Sequence, residues 1–385
     1  MHEYKTNKFL KLDRMSKNVK PTVDNKTHEA ETHFTDADRE CPNLQSRREK
    51  ASKDIKALDE GEIIGNWKVI RPIEPERCFN TIYVVQHKKK GYLAALKMEK
   101  KQVSEPMLKF ELFILLHMEK IKSQHFCKVF DRGIAPEYNW MVITLAGRNF
   151  KFLRKACKNG KVSLASGLSV GMQCLKALEE LHKVGFVHRS VNPSIFAIGR
   201  VINDDPKDLR NVYILDFGFA HQYREADGTH KAPRPNPSKY IGKPRYAPRN
   251  AYLKRELSRM DDLEMWLYVI VEMIKGALPW VHQRNPKYIF DYQKLVRSGL
   301  GLREFLGGLP VEFVDIMKEV DKLSYSDDPA YEKIYGLMRN AMEMSGQEEY
   351  PYDWEEGEIE AEKAGEGPGA PLRKENEAEN TKPTK

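Results

Sequence analysis

The chain has little cysteine and no long apolar run, and each shortage closes off a class of protein. Five cysteines (Cys41, Cys78, Cys127, Cys157 and Cys174) stand scattered through 385 residues, without the paired spacing of a zinc site or a redox dithiol. Reduced thiols in the cytoplasm or nucleus are the simpler reading. The longest apolar stretch, Met265 to Ile274, is broken by Glu272 and falls well short of the roughly 20 residues a bilayer span needs. The opening MHEYKTNKFLKLDRM is too charged for a secretory signal. A soluble protein with no membrane association is expected.

Aromatic residues and periodicity are scarce in the first 58 residues, and the last 40 are rich in glutamate. Residues 1–58 carry 13 Lys/Arg against 10 Asp/Glu and are predicted to form a disordered basic N-terminal arm. Residues 346–385 carry 5 against 12, with GEGPGAP near the end, and are predicted to form a disordered acidic tail. The middle then holds 46 against 34, a net of +12 where the whole chain has +8. Such a surplus favours acidic or phosphorylated protein segments, the chain's own tail among them, over nucleic acid. A generally well-solvated basic surface accounts for the charge equally well.

What is present falls into two kinds of pattern. WKVIRPI, TIYVVQH and YLAALKM are short β-branched or aromatic runs between polar turns, as in an antiparallel sheet. From Ser104 to Lys120, apolar residues at Met107, Phe110, Phe113, Ile114 and Leu116 make a helical stripe. Ser163 to Lys183 repeats that spacing. Asp261 to Lys275 is apolar on nearly every side and stops at Gly276, as a helix in the middle of a helical layer would. The expectation is an α+β chain: a small antiparallel sheet lobe with one helix, followed by a larger helical lobe.

Four segments follow one another in an order with chemical meaning. LAALK ends at Lys97, Glu111 lies on the next helix, HRSVNPSIF begins at His188, and DFG is Asp216, Phe217 and Gly218. The set resembles the protein kinase signature over residues 64–345, with an N-lobe at 64–143 and a C-lobe at 148–345. LAGRNFKFLR, YILDFGFAHQY, KPRYAPRNAY, RMDDLEMW and GALPW are similar to the casein kinase 1 group, and most to its tau-tubulin kinase branch.

The resemblance assigns roles that can be tested residue by residue. Phosphoryl transfer is mostly positioning plus charge neutralisation. Lys97 matches the strand lysine that holds nucleotide phosphates, and Glu111 matches its ion-pair partner. Ile143 and Leu145 fall at the gatekeeper and hinge, where an adenine-shaped slot is implied. Asp216 matches a magnesium ligand. The phosphate-covering loop between Ile73 and Tyr83 reads EPERCFN, without glycine; Cβ atoms keep the backbone amides off a phosphate and Pro75 has no amide to give.

In the catalytic loop the family's aspartate falls on Ser190, its lysine on Asn192 and its second magnesium ligand on Ile195. A hydroxyl does not serve as the base that a carboxylate is. Asn192 lacks the cation that stabilises the transferring phosphoryl group, and Ile195 offers no oxygen to magnesium. The expectation is a pseudokinase: weak ATP binding, magnesium through Asp216 alone, and no transfer. An active serine/threonine kinase with an atypical site, and a nucleotide sensor that binds without transfer, are the alternatives. Basic residues of the activation region (Lys231, Arg234, Lys239, Lys243, Arg245 and Arg249) are expected to line a groove. Arg245 matches a family site for acidic or phosphate-bearing peptide, where Arg suits phosphate by its forked hydrogen bonding.

Overall fold

A computed structural model describes residues 57–73, 81–101, 107–200, 206–225, 227–235, 237, 240 and 242–363. Strands β1 (Ile63–Ile64), β2 (Trp67–Ile73), β3 (Thr81–His87), β4 (Leu93–Lys100), β5 (Val129–Ile134) and β6 (Tyr138–Ile143) form one antiparallel sheet in the order β1-β2-β3-β4-β6-β5. The three runs read as strands from their β-branched residues are β2, β3 and β4. Alternation along β4 decides which side chains meet the helix. Ala94, Leu96 and Met98 join Trp67, Val69, Tyr83 and Val85 in a core on one face. Ala95 belongs to the opposite core, with Leu108, Phe110 and Ile114 of the Met107–Lys120 helix. Lys97 and Glu99 share Ala95's parity, so they too sit on the helix side.

The helical lobe is organised around two long helices, Leu164–Lys183 and Arg259–Lys275. Ser163 caps the first, its hydroxyl accepting from the Ser166 amide. Nearly every residue of the second is buried, and it ends at Gly276 with φ 89°, the left-handed conformation that glycine adopts without penalty. The two helices approach closely because Gly167 has no side chain: a Cβ there would stand 2.3 Å from Ile274 Cγ1. Among the described residues no helix is long and apolar enough to cross a membrane.

The ordered fold runs past the boundary expected at residue 345. Residues 346–363 lie against the helical lobe and end in a helix, Glu355–Lys363. Tyr352 and Trp354 are buried within the core. Asp353 accepts from the Ser163 amide (2.8 Å) and hydroxyl (2.9 Å), and Gln347 accepts from the Ala165 amide. Glu355 holds Arg210 through two hydrogen bonds of 2.9 and 3.0 Å, and Glu358 holds Arg148 at 2.9 Å. The expectation of a disordered tail therefore fails for 346–363. Of the three aromatics in this acidic segment, Tyr352 and Trp354 are buried and anchor it. The expected arm, 1–58, lies outside the described residues up to residue 56.

Candidate active site

Lys97 and Glu111 meet in the interior of the small lobe. Lys97 Nζ donates to both Glu111 carboxylate oxygens, at 2.6 and 2.7 Å, and both side chains are almost wholly buried. Burial raises the Glu111 carboxyl above its usual range, and the Lys97 ammonium opposes that rise. Beside them, Glu99 Oε1 accepts from the amides of Met107 and Leu108 at 2.8 and 3.1 Å. Glu99 thus caps the start of the helix that carries Glu111, where an anion meets the positive end of the helix dipole. Its other oxygen, Oε2, is buried without a hydrogen-bond partner among the described residues, and burial pushes the carboxyl up to about 7.

Below the sheet lobe, one carboxylate sets the catalytic loop. Asp262 Oδ2 accepts from the His188 amide (2.6 Å) and Oδ1 from the Arg189 amide (2.8 Å). His182 Nε2 lies 2.9 Å from Oδ2, and its Nδ1 meets the Tyr331 hydroxyl. Arg189 is held at φ 63°, a conformation L residues avoid and one that persists only where surrounding bonds impose it. Asp216 has the same φ of 63°. Phe217 behind it is fully buried, stacked on Phe126 at 5.4 Å and packed against the His188 ring at 5.6 Å. Asp262 thus fixes the backbone around the strained Arg189, and the buried Phe217 anchors the segment that holds Asp216.

The reactive positions themselves are filled differently. Ser190 and Asn192 are nearly buried, 7% and 5% exposed. The Asn192 side chain is consumed inside its own loop: Nδ2 donates to the Ser190 carbonyl at 2.8 Å and Oδ1 accepts from the Ser194 amide at 3.1 Å. Ile195 is buried in the main hydrophobic core. An apolar side chain turned into the core leaves Asp216 without a second oxygen ligand from this loop. The described residues contain no group of three or more His, Cys, Asp or Glu able to hold a metal. The side chains of Ile143 and Leu145 are both buried, with Ile143 paired to Ala95 across β4 and β6. The glycine-free loop, 74–80, lies outside the described residues.

The basic residues expected to line a groove fall into two sets. Arg245 is partly exposed and donates to Glu272 (3.3 Å) and to the Val281 carbonyl (3.3 Å). Its own carbonyl accepts from Trp280 Nε1 at 2.7 Å. Lys243 Nζ lies 2.6 Å from Ser194 Oγ. Arg234 and Arg249, expected to line the groove, are instead ion-paired within the fold: Arg234 with Glu256 at 2.6 and 3.0 Å, Arg249 with Glu264 at 2.9 Å and with Asp321. Arg189 reaches the same Glu256 at 3.5 Å. Charge is visible in a sequence, but the carboxylate that neutralises it is not. Lys239 lies outside the described residues. Of the tail's acidic residues, Glu355 pairs with Arg210 and Glu358 with Arg148, whereas Arg245 pairs with Glu272. His182, Glu99 and Glu256 were not singled out from sequence. Of these only Glu99 carried a signal, two positions from Lys97 and so on its face of the strand.

Comparison with known proteins agrees with this geometry. The protein kinase domain family matches residues 78–306. A probable serine/threonine-protein kinase of Dictyostelium discoideum is 31% identical over 294 residues, 76% of this chain and 57% of that protein. The serine/threonine-protein kinase spe-6 of Caenorhabditis elegans is 31% identical over 303 residues, 77% of this chain and 78% of its own length. The chain thus spans little more than half of the Dictyostelium relative and most of the worm protein. A kinase domain implies ATP and magnesium in general. On the family match, the relatives and the assembled lobes, the chain belongs to the protein kinase domain family.

Proposed function

We propose that the chain is a pseudokinase of the casein kinase 1 group, closest to the tau-tubulin kinase branch, which binds acidic or phosphorylated protein segments as a regulatory module in phospho-signalling. The observation that carries the reading is the content of a correctly held loop. Asp262 fixes the backbone of His188 and Arg189, yet the positions that follow offer a hydroxyl at Ser190, an occupied amide at Asn192 and a buried alkyl group at Ile195. Catalytic groups that act as a unit lose their effect together, so three replacements in one loop outweigh the intact Lys97–Glu111 pair. The group assignment rests on the segments from LAGRNFKFLR to GALPW. A cytoplasmic or nuclear setting agrees with the free thiols of Cys127, Cys157 and Cys174.

One observation favours a second reading, a nucleotide sensor without transfer. Lys97, Glu111 and Asp216 stand assembled, and a nucleotide with different affinity for two lobe arrangements would shift the balance between them. Titration of ATP with and without magnesium separates the two. Weak binding that magnesium leaves unchanged is expected of the pseudokinase; tight binding that appears only with magnesium contradicts it and supports the sensor.

A further inference from the structure

We propose that Ser326 is a phosphorylation site whose phosphate is received by Arg224 and Arg259. The site shares no residue with the catalytic loop and does not depend on the pseudokinase reading. Ser326 lies in residues 322–330, between the helices Glu312–Asp321 and Tyr331–Ser345. Ser324 closes this loop into a turn. Its amide and its hydroxyl both donate to Asp327 Oδ2 at 2.8 Å, and the Asp327 amide donates back to the Ser324 carbonyl at 3.3 Å. The Ser324 hydroxyl is thereby taken. Ser326, inside the turn, is exposed, and its hydroxyl makes no hydrogen bond among the described residues. Asp327 and Asp328 follow it directly, an acidic setting that suits a kinase with a basic substrate groove.

Two guanidiniums converge on the same turn. The Ser326 carbonyl accepts from Arg259 Nη2 at 2.8 Å. Asp328 Oδ1 accepts from Arg259 Nη1 and from Arg224 Nη2, the latter at 3.3 Å. The serine is therefore bonded through its own backbone to one arginine, and the second arginine shares a carboxylate oxygen with the first. Both lie against the Tyr223 ring, Arg224 at 5.4 Å and Arg259 at 4.7 Å from its centroid. Arginine has more N–H donors than these contacts use, and the Nε of each is buried with no hydrogen-bond partner among the described residues. Their shared carboxylate, Asp328, is exposed. From the other side of the turn, Arg189, Arg234 and Arg259 act on the neighbouring Tyr325 against Glu256.

A phosphoserine brings about −1.5 to −2 charge and three strong acceptor oxygens to this cationic surplus, and arginine meets phosphate with paired hydrogen bonds. In the modifying step a separate kinase moves the terminal phosphoryl group of ATP to Ser326 Oγ. The bond from that phosphorus to the bridging oxygen breaks, the bond to Oγ forms, the hydroxyl gives up its proton, and ADP leaves. Arg224 follows the strand His221–Gln222, which pairs with Phe186–Val187 just ahead of the catalytic loop. Arg259 opens the helix that carries Asp262. A phosphate held by both ties the loop to the two elements that position His188 and Arg189.

The test has two arms, both on the full chain. In the first, the chain is incubated with ATP, magnesium and a purified serine kinase that prefers acidic sequences, and phosphate is located by mass spectrometry beside Ser326→Ala. Phosphate on Ser326 is the expected result, and an unmodified Ser326 overturns the proposal. In the second, phosphoserine is introduced at position 326 during translation. Thermal unfolding is expected to shift upward by about 2–4 °C, the size of one or two new charge-assisted hydrogen bonds, and the shift should shrink as salt rises. Arg224→Met, at a partly exposed side chain, is expected to remove most of that shift while changing the unphosphorylated chain little. A phosphoserine that leaves the unfolding temperature unchanged or lowers it overturns the proposal, as does a rise that survives Arg224→Met.

Discussion

Glu99 and Met107 are joined by a 2.8 Å hydrogen bond from the helix's first amide to a carboxylate that is almost completely buried. Through that bond, strand β4 supplies both Lys97 and the cap of the helix bearing Lys97's partner. The same carboxylate has one oxygen without a partner among the described residues, and the cap therefore comes with a pH dependence.

Burial raises Glu99 from 4.5 to about 7, so the folded state takes up a proton that the unfolded chain does not hold between those values. Stability then falls as pH rises through that window, by roughly 3 kcal/mol in all for a shift of this size. Asp261, pushed up to about 8 by burial, acts in the same direction. Glu99→Gln keeps an oxygen for the Met107 and Leu108 amides and removes the charge. Denaturant unfolding at pH 5 and pH 7.5 is expected to show a smaller loss of stability for Glu99→Gln than for wild type; equal losses would show that Glu99 is not the titrating group.

The buried ion pair gives a second expectation. Lys97→Met leaves Glu111 buried without its cation, a loss of roughly 3–5 kcal/mol for a pair of this kind. The double variant Lys97→Met/Glu111→Leu removes the stranded charge as well and is expected to regain most of that stability. Urea unfolding of the two variants decides it: a double variant less stable than the single one would mean that the pair is not held in a dry interior.

The strap formed by 346–363 is expected to hold the fold together, though its composition is that of a solvated tail. Tyr352 and Trp354 are buried, and each such side chain is worth roughly 1.5–3 kcal/mol. A chain ending at Ser345 should lose several kcal/mol by that measure and unfold roughly 10 °C lower. Arg210→Ala, which takes the cation from a nearly buried Glu355 carboxylate while Arg210 itself is partly exposed, should cost roughly 1–3 kcal/mol. Thermal unfolding of the shortened chain at the wild-type temperature would show that the strap's packing contributes nothing.

The difference between these elements explains what was legible beforehand. β2, β3 and β4 announced themselves by β-branched runs, and the helices at 164–183 and 259–275 by apolar spacing, because local pattern and final burial agree there. Lys97, Glu111 and Asp216 could be placed by their order in the chain. The strap could not, since its anchors Ser163, Ser169 and Arg210 lie far away in sequence and its acidic composition masks the two aromatics that become buried, Tyr352 and Trp354. Arg234 and Arg249 misled for the converse reason: a cation reads as available until its partner, Glu256 or Glu264, is seen to face it.

Ser190→Asp alone is expected to restore no phosphoryl transfer. Asn192 still lacks a cation, and Ile195 still lies in the core, so the returned carboxylate would have neither a stabilised phosphoryl group nor a second metal ligand beside it. Transfer by the single variant above that of wild type, measured with labelled ATP, would mean the rest of the site is far more competent than its geometry indicates.

The most direct measurement is incorporation of labelled phosphate from ATP and magnesium into casein, tubulin-derived peptides and basic peptides by the purified wild-type chain, run beside Lys97→Met. No incorporation above the Lys97→Met background is the expected result. Incorporation that depends on Lys97 would contradict the pseudokinase reading, because it would show that a loop offering Ser190, Asn192 and Ile195 still transfers phosphate.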